Sequence, residues 1–436
     1  MSDPKRPLGL WSATALVVGN MIGSGVFLLP ATLAPYGSAS ALGWLLSTAG
    51  ALLLAVVFAR LGQRYPVSGG PYAFAHIAFG DFIGFLMAWS YWISVWCAVA
   101  AIAIAFAGSM TSLAPDLFTT PANSAACAIA VLWLCTGFNL IGLRAAGVAQ
   151  VVLTVLKLLP LVAVVLLGVR AINLSAYTPF NPSGDSLLSI TTTTAALALW
   201  ALLGLECATI PAEHVENAER IVPRATILGV AIGAVVSVAA CMIVLGLVPL
   251  SKLATSPAPF ADAAQIFAGN GASMVMAGAM AVSCLGALNG WILVQGQIPL
   301  AAARDKLFPM VFARVDGNDT PRVGLVIGSV LATLLVVANF NATLVDLFTD
   351  SILLATAAAL LPYLVCAAAL FVLEPREADA RNWRRVAAAL AFVFSAWALV
   401  GTGAQALEWG AGLLVAGLPV YFWMRATRLT SVTDNP

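Results

Sequence analysis

Charge is what this sequence has least of. It holds 20 Lys and Arg and 19 Asp and Glu in 436 residues, 9% of the chain, where soluble domains carry about a quarter. Histidine is scarcer still. His76 and His214 are the two present, and both fall in short polar connections. A nucleophile with its base, or a set of metal ligands, cannot be assembled from them at one depth, which argues against an enzyme. Seven cysteines occur without C-x-x-C spacing, all within apolar runs. They read as small packing residues rather than as disulfide or metal sites. No polar stretch is much longer than about 20 residues, so residues 1–436 form one unit without a soluble domain. The net charge of +1 gives no basic face for nucleic acid. Neither a cofactor nor a metal is expected.

What fills the chain is apolar sequence, 61% of it, with a mean hydropathy of +0.98. Runs of about 20 apolar residues, each able to cross about 30 Å of hydrocarbon, recur along its length. Twelve spans are expected, at about 10–32, 41–62, 82–109, 123–143, 147–169, 189–212, 225–247, 273–303, 323–338, 344–372, 386–404 and 407–424. The first is too long, and too poor in a small-residue cleavage site, to be a removable signal peptide. With the N-terminus placed inside, 17 of the 20 basic residues fall in inner connections or ends. Only Arg170 and Lys252 lie in outer connections, and Lys157 lies within a span. The positive-inside rule therefore predicts an inner-membrane, multi-pass protein with both termini cytoplasmic.

The first span is interrupted. Gly19-Asn-Met-Ile-Gly-Ser-Gly25 runs into Val26-Phe-Leu-Leu-Pro30, with apolar sequence on either side. A helix opened at bilayer depth bares peptide groups that lipid cannot satisfy, so it must line a cavity and bind something. The sixth span repeats the theme with Trp200-Ala-Leu-Leu-Gly204-Leu-Glu206 before Pro211. Two broken helices five spans apart, entering from opposite sides, predict a five-plus-five inverted repeat with a site at the midplane. The repeats would cover about 10–169 and 189–372, with two extra helices at about 386–424.

Helical rise of about 1.5 Å per residue places Gly23, Trp200 and Trp291 each roughly 18–20 Å from the inner face. They can meet. Amides freed after the first break (Ser24, Gly25) suit a carboxylate. Carbonyls at Met21, Trp200 and Leu203 suit an ammonium, so the pair fits an α-amino acid. Trp291 or Trp200 can stack on an aliphatic chain or a cation. Ile22 and Gly204 belong to the same two breaks, and Ser94 is counted with the substrate contacts. Glu206, Tyr91 and Tyr363 lie nearer the inner face and can join as a hydrogen-bonded gate; an intramembrane acid points to function by default. Lys157, about ten residues into the fifth span, can reach the loose carbonyls near Gly19 and Ser283 of the eighth span. It would act there as a proton carrier or as a permanently charged brace standing in for a metal cation. Asn289 is either a polar contact to substrate or interhelical glue.

These motifs resemble the first-helix signature and other marks of the amino acid–polyamine–organocation superfamily. Ser68-Gly-Gly-Pro-Tyr-Ala-Phe-Ala75, Val215-Glu-Asn-Ala-Glu-Arg-Ile-Val-Pro-Arg-Ala225, Cys284-Leu-Gly-Ala-Leu-Asn-Gly-Trp291 and Leu307-Phe-Pro-Met-Val-Phe-Ala-Arg314 carry the likeness across nearly the whole chain. Within the superfamily the chain is similar to the basic amino acid/polyamine antiporters, the bacterial arginine/agmatine exchangers included. The resemblance implies an all-α, LeuT-like integral membrane fold. It also implies a substrate carboxylate on Ser24 and Gly25 and an amine on the carbonyls of Met21, Trp200 and Leu203. Trp291 would be the middle gate, and Tyr91, Glu206 and Tyr363 the cytoplasmic gate. A homodimer is the assembly such exchangers often form.

Two departures bear on substrate. Where the arginine/agmatine exchangers have a guanidinium-binding asparagine this chain has Val99, and a serine of their tenth helix is Ala355 here. Burying an unpaired guanidinium against them would cost a few kcal/mol, which favours a neutral or apolar side chain. The expected function is amino-acid exchange by alternating access. Proton-coupled symport of neutral amino acids through Lys157 and Glu206 is the alternative, and a channel or non-transporting sensor a remote one.

Overall fold

The computed structural model describes residues 8–22, 25–67, 69–118, 120–141, 147–210, 215–316, 320–338, 342–374 and 382–433. Fifteen helices follow one another: α1 (Leu10–Met21), α2 (Gly25–Leu33), α3 (Ser40–Arg64), α4 (Pro71–Phe79), α5 (Asp81–Leu113), α6 (Pro121–Leu140), α7 (Gly147–Gly168), α8 (Leu187–Trp200), α9 (Ala218–Leu247), α10 (Leu250–Leu253), α11 (Pro259–Arg304), α12 (Arg322–Ala338), α13 (Leu344–Leu373), α14 (Asn382–Gly401) and α15 (Gly403–Thr433). Among the described residues there is no strand, only an isolated bridge between Leu8 and Val215. Helix is what a bilayer imposes, because every backbone group must find its partner within its own segment.

The twelve expected spans correspond to helices, with differences that matter. The first is two helices, α1 and α2, and the sixth stops as a helix at Trp200. α5 and α11 overrun their expected ends, and α11 bends at Gly269 (φ 80°, ψ −175°). The short helices α4 and α10 were not expected from the sequence. Among the described residues nine stretches are long and apolar enough to cross a membrane, with Leu10–Arg64 taken as one. That stretch holds two spans, and the shorter apolar helices Leu187–Trp200 and Arg322–Ala338 complete the twelve.

The outward faces are apolar too. Val155, Leu156, Leu159 and Leu166 of α7, and Val326, Val330, Leu334 and Val337 of α12, are exposed at helical spacing. Faces of this kind in water mark aggregation or interaction surfaces; here they suit lipid.

The packing repeats with an offset of five spans. α5 packs on α13 as α11 packs on α7, and α5 on α12 as α11 on α6. Likewise α3 lies on α8 as α9 lies on α1, and α1 on α7 as α8 on α13. α14 and α15 stand outside this scheme, against α3, α8, α13 and α5. The architecture is an all-α, multi-pass membrane fold of five-plus-five inverted repeats with two broken helices. α5 runs through the middle and is buried on nearly all sides over its apolar length.

Candidate functional site

The first break begins at the end of α1, where the last helical bond is Ile22 N–H to Val18 O at 2.7 Å. Ile22 then leaves helical geometry (φ −88°, ψ 75°), and α2 starts afresh at Gly25. Gly23 and Ser24, both expected at the substrate, lie outside the described residues. A helix end leaves carbonyls without intrahelical partners and a helix start leaves amides. One of those carbonyls, Gly19 O, receives the Lys157 ammonium at 3.2 Å. Lys157 is only 4% exposed, too deep to reach the interface, and so links α7 to the broken end of α1. Ser283 does not join it: its hydroxyl is buried with no hydrogen-bond partner among the described residues, which corrects that expectation. Lys157 lies instead along Gly286, where an added Cβ would stand 3.1 Å from its Cε.

The second break unwinds by tightening. Ala201, Leu202 and Leu203 N–H groups donate to Ala198, Leu199 and Trp200 carbonyls at 2.9–3.2 Å, three residues back rather than four. Gly204 then takes φ +97°, a left-handed conformation that costs glycine nothing and other residues dearly. Trp200 O is therefore already bonded once, to Leu203 N–H, leaving one lone pair. Leu203 O carries no backbone hydrogen bond among the described residues. The two breaks touch. A Cβ on Gly204 would come within 3.2–3.3 Å of Asn20 Cβ and carbonyl carbon and of Met21 N, so glycine also permits the close approach.

Between the breaks lies a cavity of about 20 Å³, room for about one water. Met21, Gly25, Ser94, Trp200, Leu203 and Trp291 line it, with Tyr91, Glu206 and Tyr363 at one end. The Trp200 indole lies against the start of α2: a Cβ on Gly25 would be 2.5 Å from its Nε1. That nitrogen is buried without a hydrogen-bond partner among the described residues. The Ser94 hydroxyl turns back to Tyr91 O at 2.7 Å.

The end of the cavity is closed by hydrogen bonds. Both the Tyr91 and Tyr363 hydroxyls donate to the Glu206 carboxylate, one to each oxygen. Glu206, Tyr91 and Tyr363 are at most 1% exposed. The one acid of the cavity wall, carried by the second break six residues past α8, thus ties α5 and α13 together at that point.

Three expected contacts fall elsewhere. Val99 and Ala355 are buried, but the wall is formed by Ala98, Ile102 and Ala359. Tyr91, Ser94, Ala98 and Ile102 follow each other at three- and four-residue steps, one helical stripe, and Val99 is off that stripe. Ala355 shares a stripe with Ala359 and Tyr363 but stands one turn beyond the cavity. Asn289 faces the neighbouring helix: Asn139 Nδ2 donates to its Oδ1 at 2.8 Å and to its backbone carbonyl at 3.3 Å. It is interhelical glue between α6 and α11. Asn20 was missed, although it sits inside the glycine-broken motif itself.

The sequence comparisons agree with this geometry. A family model described as amino acid permease matches residues 8–418. The cadaverine/lysine antiporter of Escherichia coli (strain K12) is 32% identical over 439 residues, 98% of this chain and 96% of that protein. The putrescine transporter PotE of the same strain is 32% identical over 427 residues, 97% of each chain. Its counterpart in Haemophilus influenzae (strain ATCC 51907 / DSM 11121 / KW20 / Rd) is 32% identical over 425 residues, 97% of this chain and 98% of that one. With nearly its whole length matched and two broken helices meeting at one cavity, this chain belongs to the amino acid permease family of the amino acid–polyamine–organocation superfamily.

Proposed function

We propose that this chain is an antiporter that exchanges amino acids or related amines across the inner membrane by alternating access. The observation that carries the reading is the contact between the two helix breaks, with a cavity between them closed by the Tyr91–Glu206–Tyr363 bonds. The start of α2 offers amides and the positive end of a helix dipole to a carboxylate. Gly25 amide would serve there, and Ser24 beside it. Carbonyls of Met21 and Leu203 would take the ammonium, with the free lone pair of Trp200 O as a third acceptor. A bound zwitterion replaces the missing turns of both helices. Its binding energy is then realised only when the breaks are together, and that couples occupancy to closure.

A site of about 20 Å³ does not admit an amino acid as it stands. Trp200 and Trp291 would have to swing aside, and Trp291 is assigned the part of middle gate. Tyr91, Glu206 and Tyr363 form the gate on the arginine-rich side, which is cytoplasmic if basic residues stay inside. The halves that rock against each other would be residues 10–169 and 189–372. Besides Asn20 and Glu206 the lining holds no amide or acid among the described residues, and Ala98, Ile102, Ala359 and the Trp291 ring would form the wall around the side chain. Apolar or neutral side chains therefore fit better than a guanidinium.

The test is uptake of labelled amino acids into liposomes, with and without internal substrate and a pH gradient. A panel of twenty amino acids with agmatine, putrescine and cadaverine serves as competitors. Uptake that requires internal substrate supports exchange. Uptake driven by the pH gradient alone would establish symport instead, and arginine as the best competitor would refute the assignment of the side-chain pocket.

A further inference from the structure

At the arginine-rich end, the first turn of α14 carries Arg384 and Arg385, a poor start for a helix. Its first turn carries positive partial charge, and cations there are unfavourable. Among the described residues one acid answers them. Glu374, just past the end of α13 and 3% exposed, accepts both Nε and Nη2 of Arg60 at 3.1 and 2.9 Å. Arg384 Nη1 is 3.6 Å from the same carboxylate. Arg385 Nη2 donates to the Glu374 backbone carbonyl at 3.1 Å. Burial alone would raise this carboxyl. Hydrogen bonding from Arg60 and the charges of Arg60, Arg384 and Arg64 outweigh that and hold it below the usual range. The carboxylate is thus charged, with Arg60, Arg64 and Arg384 about it and Arg385 on the backbone carbonyl, so among the described residues the cluster keeps a surplus of three positive charges. Arg385 Nε is buried with no hydrogen-bond partner among the described residues.

Directly beneath this cluster is an apolar groove of about 360 Å³ between α13 and α14, lined by Ala368, Phe371, Val372, Ala389, Phe392 and Val393 among others. The two features are continuous. The Arg385 guanidinium lies 5.4 Å over the Phe371 ring, and Ala388 and Ala389, one turn after Arg384 and Arg385 on the same faces, line the groove. Alanines rather than large residues leave the slot open along the helix axes. The opening stands at the membrane-facing surface, where Val372, Leu390 and Val393 are exposed.

We propose that this is a site for an anionic phospholipid of the leaflet on the arginine-rich side. One acyl chain would lie in the α13–α14 groove, and the headgroup phosphate would meet Arg384, Arg385 and Arg64. Charge complementarity selects this occupant. A neutral lipid fills the groove but leaves the arginines uncompensated, and free phosphate meets the arginines but leaves the groove empty. The bound lipid would pin α14, which lies outside the repeats, to the end of α13, whose Tyr363 closes the cavity. This site is independent of what the protein carries and shares with the function proposed above only the assignment of sides.

The experiment uses the full-length protein purified in detergent. Native mass spectrometry counts bound lipids, and thermal unfolding is followed during titration with phosphatidylglycerol, phosphatidylcholine or inorganic phosphate. Phosphatidylglycerol is expected to bind saturably and at least tenfold more tightly than phosphatidylcholine, and to raise the unfolding temperature. Arg384→Gln/Arg385→Gln should abolish that preference. Ala389→Phe fills the groove without touching charge and should lower lipid affinity while leaving any response to phosphate unchanged. Equal binding of the two lipids by the unaltered protein would overturn the proposal, and so would a phosphate titration that reproduces the whole stabilisation. Retention of full phosphatidylglycerol affinity in Ala389→Phe would overturn the groove as the acyl site even if the arginine variant failed to fold.

Discussion

Gly25→Ala is the sharpest probe of the site, because its effect can be worked out from two side chains. An added methyl would stand 2.5 Å from Trp200 Nε1 and 2.9 Å from its Cδ1. Carbon contacts are comfortable at about 3.5–4.0 Å, so the indole must retreat by about 1 Å. The space it can retreat into is the cavity itself, about 20 Å³. Overpacking of this kind costs about 1–3 kcal/mol, and at about 1.4 kcal/mol per decade substrate affinity should fall by a factor of about 5 to 140. Trp200→Ala removes the ring and with it both atoms in conflict. In that background Gly25→Ala should cost less than about 0.5 kcal/mol, leaving a coupling energy of about 1–2 kcal/mol between the positions. Equilibrium binding of the labelled substrate to the four proteins of the cycle measures it. Equal losses in both backgrounds, or no loss from Gly25→Ala alone, would refute the idea that the Trp200–Gly25 apposition shapes the site.

Three further outcomes are expected. Lys157→Ala removes the ammonium from Gly19 O and should abolish or uncouple transport while gel filtration still shows a folded protein; unchanged flux with unchanged pH dependence would exclude a coupling role. Tyr363→Phe takes one of two hydroxyl donors from the buried Glu206 carboxylate, at a cost of about 1–3 kcal/mol, and the gate should leak: exchange should persist with a raised uncoupled efflux, and tight exchange would argue against gating. Asn139→Ala deletes the bond to Asn289 and should lower the unfolding temperature by a few degrees, about 1 kcal/mol, without changing KM; a KM change would return Asn289 to the substrate site.

Some of the site was legible from local rules. Gly19 to Gly25 and Trp200 to Glu206 could be read as breaks because a glycine-rich interruption at bilayer depth has few other uses. Lys157 could be directed to Gly19, and Glu206 to Tyr91 and Tyr363, because rise per residue converts position into depth. Depth is one coordinate only. Rotation about the helix axis is the other, and α5 hides it: an apolar helix buried all round shows no preferred face. Val99 and Ala98 look alike in the sequence, and only packing against α11 and α13 decides that Ala98 meets the cavity. Asn289 likewise gives no sign of direction until Asn139 of α6 is seen opposite.

Sequence by itself determined the number of spans and the two places where helices break. Hydrocarbon thickness and the cost of bare peptide groups act on each segment separately. Tertiary structure decided which side chains face one another across the breaks, how small the cavity between them is, and that Gly204 rests on Asn20 and Met21. Those outcomes depend on neighbours far apart in the chain, where one helix sets the rotation of the next.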